Sequence, residues 1–371
     1  MKILVAMSGG VDSSLVAHML AEQGHELVGV RLSLWTDTTA PTLAQIQSRK
    51  CCDPQTVYRA TTVAQTLGIP LHTIDLQHEF KSQVVDPFLR EYRAGNTPNP
   101  CVICNRTIKF GVLLKIAAEY GCSMLATGHY ARIERTQTPE GTLCQLYEAI
   151  DTSKSQSYFL YALTQDQLRQ SLFPLGTMQK TDVIAQAQKR GIPLPEHYEE
   201  SQDVCFYPEK EPQEFLKRHM PDAITAGPIY MNDGKRVGTH RGLPLYTTGQ
   251  RKGLGIGGLK IPLHVVEKSV HDNSLIVAPS GADCKLELAA SSLNWIAKPP
   301  AMNTVHHLQA RISSQGRLRA GTLTHNGTWA VFRFAHPLRG IAPGQSAVFY
   351  KGQEILGGGI IQNADTQHVL D

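Results

Sequence analysis

Two groups of residues in this 371-residue chain have the types and spacing to do chemistry. The first is a turn, Ser8-Gly9-Gly10-Val11-Asp12-Ser13-Ser14. Lys2 to Met7 ahead of it is a short apolar run, and Ser14 to Glu22 behind it places apolar residues at helical spacing. The glycines therefore fall where a strand becomes a helix. At such a junction the first helical N–H groups lack partners and the helix dipole adds positive potential, so an anion is the natural guest. Gly9 and Gly10 let a phosphate approach the backbone. Ser8, Ser13 and Ser14 add hydroxyl donors, and Asp12 is suited to orienting the loop or holding Mg²⁺. No lysine follows the glycines, which excludes a Walker-type triphosphate loop. An ordinary helix-capping turn would use the same residue types, but strand, loop and helix in this order favour a nucleotide.

The second group is thiols. Eight cysteines are too sparse in so long a chain for a disulfide scaffold, and in a reducing compartment clustered ones suggest chemistry or metal binding. Cys101 and Cys104 lie in Gly95-Asn96-Thr97-Pro98-Asn99-Pro100-Cys101-Val102-Ile103-Cys104-Asn105. The two prolines predict a rigid, extended approach to a helix over Ile108 to Tyr120. A thiol near a helix start has its pKa lowered, which makes Cys104 in particular a reactive candidate. Cys205, in Asp203-Val204-Cys205-Phe206, reads by type alone as a small core hydrophobe. Two further stretches carry polar groups. Met124 to Tyr130 is a buried strand running into Gly128, which permits close backbone approach, and His129, which suits either a phosphate or base contact or a hydrogen-bonded structural role. Lys154-Ser155-Gln156-Ser157 suits a phosphodiester or a solvated helix entry.

The elements that must position these groups begin as strand and helix in alternation. Strands are expected at His25 to Trp35 and Ile69 to Leu76, and helices at Thr56 to Leu67, His78 to Ala94, and from Thr164 and Thr181. That predicts an α/β fold with a doubly wound parallel sheet, whose ligands bind beyond the carboxyl ends of the strands near the switch point. Leu32, ending the second strand, is a candidate adenine neighbour or a plain core leucine. Ala131 to Arg135 and Leu143 to Ala149 read as a hairpin. From about Glu211 short β-rich segments take over at Gly227 to Met231, Arg236 to His240, Leu245 to Thr247, His264 to Lys268 and Ser274 to Ala278. The final third alternates like a β-barrel, from Leu308 to Ser313 through Ile355 to Ile361. Three domains are expected: catalytic 1–208, a small β-rich 209–283 and a barrel 284–371.

The net charge of +4 is mild, but its distribution is lopsided. Between Asp233 and Glu267 there is no acidic residue, while Lys235, Arg236, Arg241, Arg251, Lys252 and Lys260 are present. Between Glu287 and Glu354 there is again none, against Lys298, Arg311, Arg317, Arg319, Arg333, Arg339 and Lys351. Two one-signed surfaces point to a polyanion. No apolar run reaches bilayer length and no signal-peptide pattern opens the chain, so a cytoplasmic protein without membrane contact is expected.

The first loop resembles the PP-loop of the N-type ATP pyrophosphatases, which cleave ATP between the α- and β-phosphates. Together with Asn99-Pro100, Cys104-Asn105, Thr127 to Tyr130, Lys154 to Ser157, Asp203 to Phe206 and Ala342-Pro343-Gly344-Gln345, it makes the chain similar nearly end to end to the tRNA-specific 2-thiouridylases. The resemblance implies ATP contacts at Ala6, Met7, Ser8, Gly9, Gly10, Val11, Asp12, Ser13, Leu32 and Gly128. It places the target uridine at Asn99, Pro100 and Cys101, and tRNA at His129, Lys154, Ser155, Gln156, Arg311, Ile312 and Gln345. Relatives often carry an aromatic residue where Ile312 stands. The family scheme puts a persulfide on Cys205 and the resolving nucleophile on Cys104, ending as a disulfide. Many relatives carry Asp where Cys101 stands, so a [4Fe–4S] cluster on Cys101, Cys104 and Cys205 stays open beside the persulfide route. Cys51, Cys52, Cys122, Cys144 and Cys284 receive no role. The implied partners are ATP with Mg²⁺, the tRNA anticodon stem-loop, and a sulfur-donor relay protein or hydrosulfide, with the chain acting as a monomer. A PP-loop amidating ligase shares the first loop but has no use for the thiols. A redox-sensing RNA-binding module has no use for ATP turnover.

Overall fold

The computed structural model describes residues 1–42, 54–193, 204–257, 261–282 and 284–363. Cys51, Cys52, Asp203 and Lys260 lie outside them. The chain opens with β1 (Lys2–Ala6), α1 (Val11–Glu22), β2 (Glu26–Ser33), α2 (Pro54–Leu67) and β3 (Leu71–Asp75). A long rod, α3, runs without a break through Gln77–Phe80, Lys81–Val85 and Asp86–Arg93, its middle segment wound as a π-helix. A second rod, α4, joins Pro100–Cys104, the π-helical Asn105–Val112 and Leu113–Glu119. Next come β4 (Met124–Ala126), the hairpin β5 (Ala131–Thr138) and β6 (Gly141–Glu148), α5 (Gln165–Arg169), β7 (Ser171–Leu172) and α6 (Lys180–Lys189).

The first sheet is wholly parallel in the order β3-β2-β1-β4-β7. Its strands read as near-continuous apolar runs because helices cover both faces; Ile3, Leu4 and Val5 are all fully buried. Each such side chain contributes about 1.5–3 kcal/mol by leaving water. The chain moves outward from β1 to β3 and returns to β4 on the other side of β1. The switch point thus falls between β1 and β4, and the loops following both strands meet there.

The expected extended approach to Ile108 is corrected: α4 already begins at Pro100. Proline at the first helical position loses no hydrogen bond and arrives with helical φ, so Pro100 starts the helix that it was read as delaying.

A short helix, α7 (Gln213–His219), leads to a four-stranded sheet of β8 (Gly227–Met231), β9 (Arg236–His240), β10 (Leu263–Ser269) and β11 (Ser274–Pro279), in the order β10-β11-β8-β9. Leu245 to Thr247 is not a strand; a tight 3-10 turn at Leu243–Leu245, entered through Gly242 at φ 138°, takes its place. Six strands then close a barrel: β12 (Lys285–Trp295), β13 (His306–Arg311), β14 (Arg319–His325), β15 (Ala330–Leu338), β16 (Ser346–Lys351) and β17 (Glu354–Gln362). The order is β12-β15-β14-β13-β16-β17, and β17 pairs back to β12. The β5–β6 hairpin does not belong to the parallel sheet. It continues the barrel's sheet, with Leu146 and Tyr147 of β6 in register with Ile355 and Glu354 of β17.

Candidate active site

The Ser8–Ser13 loop joins β1 to α1 at the switch point. Gly10 is the N-cap of α1 and no side chain caps it, so the amides of the first turn stay available to an anion. Gly9 sits at φ +78°, and a Cβ there would fall 2.0 Å from the Thr56 carbonyl oxygen of α2. The loop is therefore clamped against α2, and Arg59 of that helix donates through Nε to the Gly9 carbonyl at 2.8 Å. The hydroxyls of Ser13 and Ser14 donate to the Gly10 carbonyl at 3.1 and 2.9 Å, and Ser8 and Ser13 hydroxyls lie 3.2 Å apart.

Gly128, after β4, closes the other side, since a Cβ there would lie 3.0 Å from Asp12 Cβ and from the Ser13 amide. Leu32 is half-buried between two apolar clusters, Ala6 is half-buried and Met7 is buried.

Asp12 is already engaged. Its Oδ1 accepts from Lys180 Nζ at 2.6 Å and from the Tyr130 hydroxyl at 2.9 Å, and Lys180 also lies over the Tyr130 ring. This supports Asp12 as an organiser of the loop. Lys180 and Arg59 are the cations that sequence reading missed. They come from α6 and α2, distant in the chain, so no local motif announces them.

α4 carries the thiols. Asn99 is its N-cap, Cys101 is half-buried and Cys104 is buried in its first turn. Burial pushes the Cys101 thiol up, with Lys109 opposing, so the helix start does not by itself leave this thiol acidic. Lys109 also faces His129, whose pKa burial pushes well below the ordinary value, with Lys109 adding to the effect. His129 is thus a neutral, buried imidazole, 2.8 Å from the Thr127 hydroxyl through Nδ1 and packed between Phe110 and Phe173.

Cys104 belongs to the apolar cluster against which Cys205, Val204 and Leu32 pack. The structure so places the two distant thiols on one core that borders the end of β2. Neither is in a disulfide among the described residues. A three-cysteine cluster site is a different matter. Among the described residues no group of three or more His, Cys, Asp or Glu side chains is arranged to hold a metal ion, so Cys101, Cys104 and Cys205 do not fit a [4Fe–4S] cluster in this arrangement.

The expected tRNA residues fall in two sets. Gln156 accepts the Tyr130 amide at 3.0 Å, and Ser155 Oγ accepts the Ala149 amide at 3.2 Å, which ties the half-buried Lys154, Ser155 and Gln156 and the buried Ser157 to the end of the His129 loop. Arg311 turns inward, 3.0 Å from Glu148 and over the Tyr350 ring, with only 12% of its side chain exposed. Ile312 is half-buried against the barrel core. Gln345 donates through Nε2 to the carbonyls of Thr97 at 2.9 Å and Pro98 at 3.2 Å. The other basic side chains are outward: Lys235, Arg236, Arg241, Arg251 and Lys252 on the small sheet's side, and Lys298, Arg317, Arg319, Arg333, Arg339 and Lys351 on the barrel are all exposed.

A Ser-Gly-Gly loop at the switch point of a parallel sheet, clamped by α2 and lined by the Gly128 turn, defines a PP-loop nucleotide-binding fold with a barrel appended. Comparison with known proteins narrows the class. Residues 1–209 match the model described as tRNA methyl transferase HUP domain, residues 213–279 the tRNA methyl transferase PRC-barrel domain, and residues 285–361 the aminomethyltransferase beta-barrel domain. A tRNA-specific 2-thiouridylase MnmA of Chloroflexus aurantiacus is 42% identical over 360 residues, covering 97% of this chain and 98% of that one. Its counterpart in Symbiobacterium thermophilum is 41% identical over 364 residues, covering 98% and 92%. A solved 4-thiouridine synthetase–RNA complex with bound ATP is similar at TM-score 0.34 and 16% identity, over 60% of this chain and 50% of that one. The chain belongs to the tRNA-specific 2-thiouridylase MnmA family.

Proposed function

We propose that the chain is a tRNA-uridine 2-sulfurtransferase that uses ATP to place sulfur on C2 of the wobble uridine. The observation that carries this reading is a phosphate-binding loop at the switch point together with two thiols distant in sequence, Cys104 and Cys205, on one core bordering the same sheet end. The C2 carbonyl of a pyrimidine is a poor electrophile with no competent leaving group. Its O2 attacks the α-phosphate of ATP, pyrophosphate departs, and AMP becomes the group that can leave. The amides of Val11 to Ser13, the serine hydroxyls and Lys180 favour the charge that develops on the phosphates, with Mg²⁺ as the expected counter-ion.

In the second step the terminal sulfur of a Cys205 persulfide attacks C2 and AMP leaves with the original oxygen. The Cys104 thiolate attacks the Cys205 sulfur and breaks the S–S bond, leaving sulfur on C2 and a Cys104–Cys205 disulfide. A thiol reductant then restores both thiols. The persulfide route is preferred over the cluster because the three cysteines are not assembled as ligands. Asn99, Pro100 and Cys101 at the start of α4 would receive the base turned out of the anticodon stack. In this reading the catalytic unit is 1–208, and the exposed basic faces of 209–283 and 284–371 hold the anticodon stem-loop of tRNA. The chain works in the cytoplasm as a monomer, its Cys205 persulfide loaded by a sulfur-donor relay protein that itself carries persulfide sulfur.

The test is a pair of variants, Cys104→Ser and Cys205→Ser. Each is expected to fold, to release pyrophosphate from ATP when tRNA is added, and to yield no 2-thiouridine by mass spectrometry of the digested tRNA. Thiolation at the normal rate by either variant overturns the sulfur route.

A further inference from the structure

Cys205 lies on an irregular stretch between residues outside the described set and α7, yet the segment after it is held by an unusual amount of buried charge. Asp37, in the loop beyond β2, has a fully buried side chain. Its Oδ2 accepts from Arg218 of α7 through Nε at 2.9 Å and Nη2 at 2.6 Å. Its Oδ1 accepts from the Thr39 amide at 3.0 Å and hydroxyl at 2.6 Å, and lies 2.9 Å from His219 Nε2. Arg218 is shared with Glu209, at 2.7 and 3.1 Å. The Asp37 amide donates to the carbonyl of Phe206, the residue following Cys205, at 2.9 Å. Burial pushes the Asp37 carboxyl up, but the hydrogen bonds from Thr39, Arg218 and His219 outweigh it, so the group stays below the ordinary carboxylate range and charged.

A buried ion pair is a poor way to gain stability, because desolvation cancels most of the Coulombic attraction. What such a network supplies is a fixed geometry. Aromatic packing alone would hold Phe206, which meets Phe88 at 5.2 Å and Phe215 at 5.4 Å between ring centroids, but apolar contacts are non-directional and permit sliding. The Asp37 amide and carboxylate fix backbone and helix at once, from the strand end that also bears Leu32.

We propose that Asp37, Arg218 and Glu209 form a clasp that positions Cys205 for sulfur delivery, and that they are positioning residues for the second half-reaction and not for the first. The inference rests on the reading of Cys205 as the sulfur-bearing thiol. It separates the two chemical steps. Loosening the clasp leaves the Ser8–Ser13 loop intact and displaces only the thiol.

The experiment measures both steps in full-length Asp37→Asn. The first readout is the pre-steady-state burst of pyrophosphate with ATP and unmodified tRNA. The second is the 2-thiouridine content of tRNA from cells that depend on the variant. The burst is expected to stay within about twofold of wild type, while thiolation falls at least about tenfold. Alkylation of Cys205, followed by peptide mass spectrometry, is expected to quicken at least about threefold. Equal loss of both steps, or loss of neither, overturns the proposal. Should Asp37→Asn not fold, Glu209→Gln at the half-buried rim of the network carries the test, with thiolation down about threefold at an unchanged burst; undiminished thiolation overturns it. Cys205→Ser run in parallel keeps the two claims apart. Normal thiolation by Cys205→Ser defeats the reading of Cys205, whereas an inactive Cys205→Ser beside a fully thiolating Asp37→Asn defeats the clasp alone.

Discussion

At the scale of single residues, Gly9 is where conformation and contact can be separated. It shares its positive φ with Gly24, +78° against +77°, but a Cβ at Gly9 would meet the Thr56 carbonyl at 2.0 Å while one at Gly24 would meet nothing within 4 Å. Backbone strain of about 1–2 kcal/mol is common to alanine at either site, so the difference between the two variants isolates the clamp on α2. Gly9→Ala is expected to weaken ATP binding at least about tenfold by calorimetry, with Gly24→Ala within about twofold of wild type and losing less melting temperature than Gly9→Ala. The Ser-Gly-Gly motif and the Cys101–Cys104 pair were legible in the sequence because each is a local pattern, whereas Cys205 read by type as a core hydrophobe and gained a role only through the family resemblance. Lys180 and Arg59 were not legible, because their relevance arises only when α6 and α2 fold back on the loop. His129 could be narrowed to two roles by type; its burial between Phe110 and Phe173 needed the structure.

At the scale of elements, α4 is the part on which the thiol chemistry turns, and its start is braced from the barrel. The Thr97 amide donates to the Pro343 carbonyl at 2.8 Å, Gln345 returns two hydrogen bonds, and the Tyr158 hydroxyl donates to the Ser346 carbonyl at 3.0 Å. The Gly344 backbone packs so closely that a Cβ would reach 2.9 Å from Asn96 Cβ. Losing a Gln amide that satisfies two part-buried carbonyls costs about 1 kcal/mol locally. Gln345→Ala is therefore expected to raise amide hydrogen exchange across residues 97–104 about tenfold and to lower kcat for thiolation with the KM for tRNA little changed. A rise in KM at unaltered exchange would instead mark Gln345 as a contact to tRNA. The sequence reading placed β1 to β4 of the parallel sheet to within a few residues, since buried parallel strands are rich in apolar runs, but missed β7, whose two residues Ser171 and Leu172 are too few to form a pattern. It misjudged Pro100, where the same residue suits either an extended approach or a first helical turn, and β12 went unseen because Lys285 to Trp295 mixes charged, small and aromatic residues without a clean alternation.

At the scale of the whole molecule, buried histidines set the response to acid. Burial lowers the pKa of His18, His129 and His240, while in the unfolded chain each returns to about 6.5. Below that value the unfolded chain binds protons that the native state refuses, so stability is full above pH 6.5 and declines as pH falls beneath it. The urea midpoint is expected to drop between pH 7.5 and 5.5, and to drop less in His129→Gln than in wild type. An equal drop in both would remove His129 from the account.

The pairing of β6 with β17 has a consequence for dissection. Because Leu146 and Tyr147 pair with Ile355 and Glu354, a cut ahead of residue 284 would strip the end of β6 of its outer partner, even though β12 to β17 close on themselves. An isolated front half would leave the Leu146–Tyr147 edge of that hairpin uncovered, a place open to edge-to-edge association. Genetic recombination that swapped the rear portion for an unrelated one would have to supply a new cover for that edge.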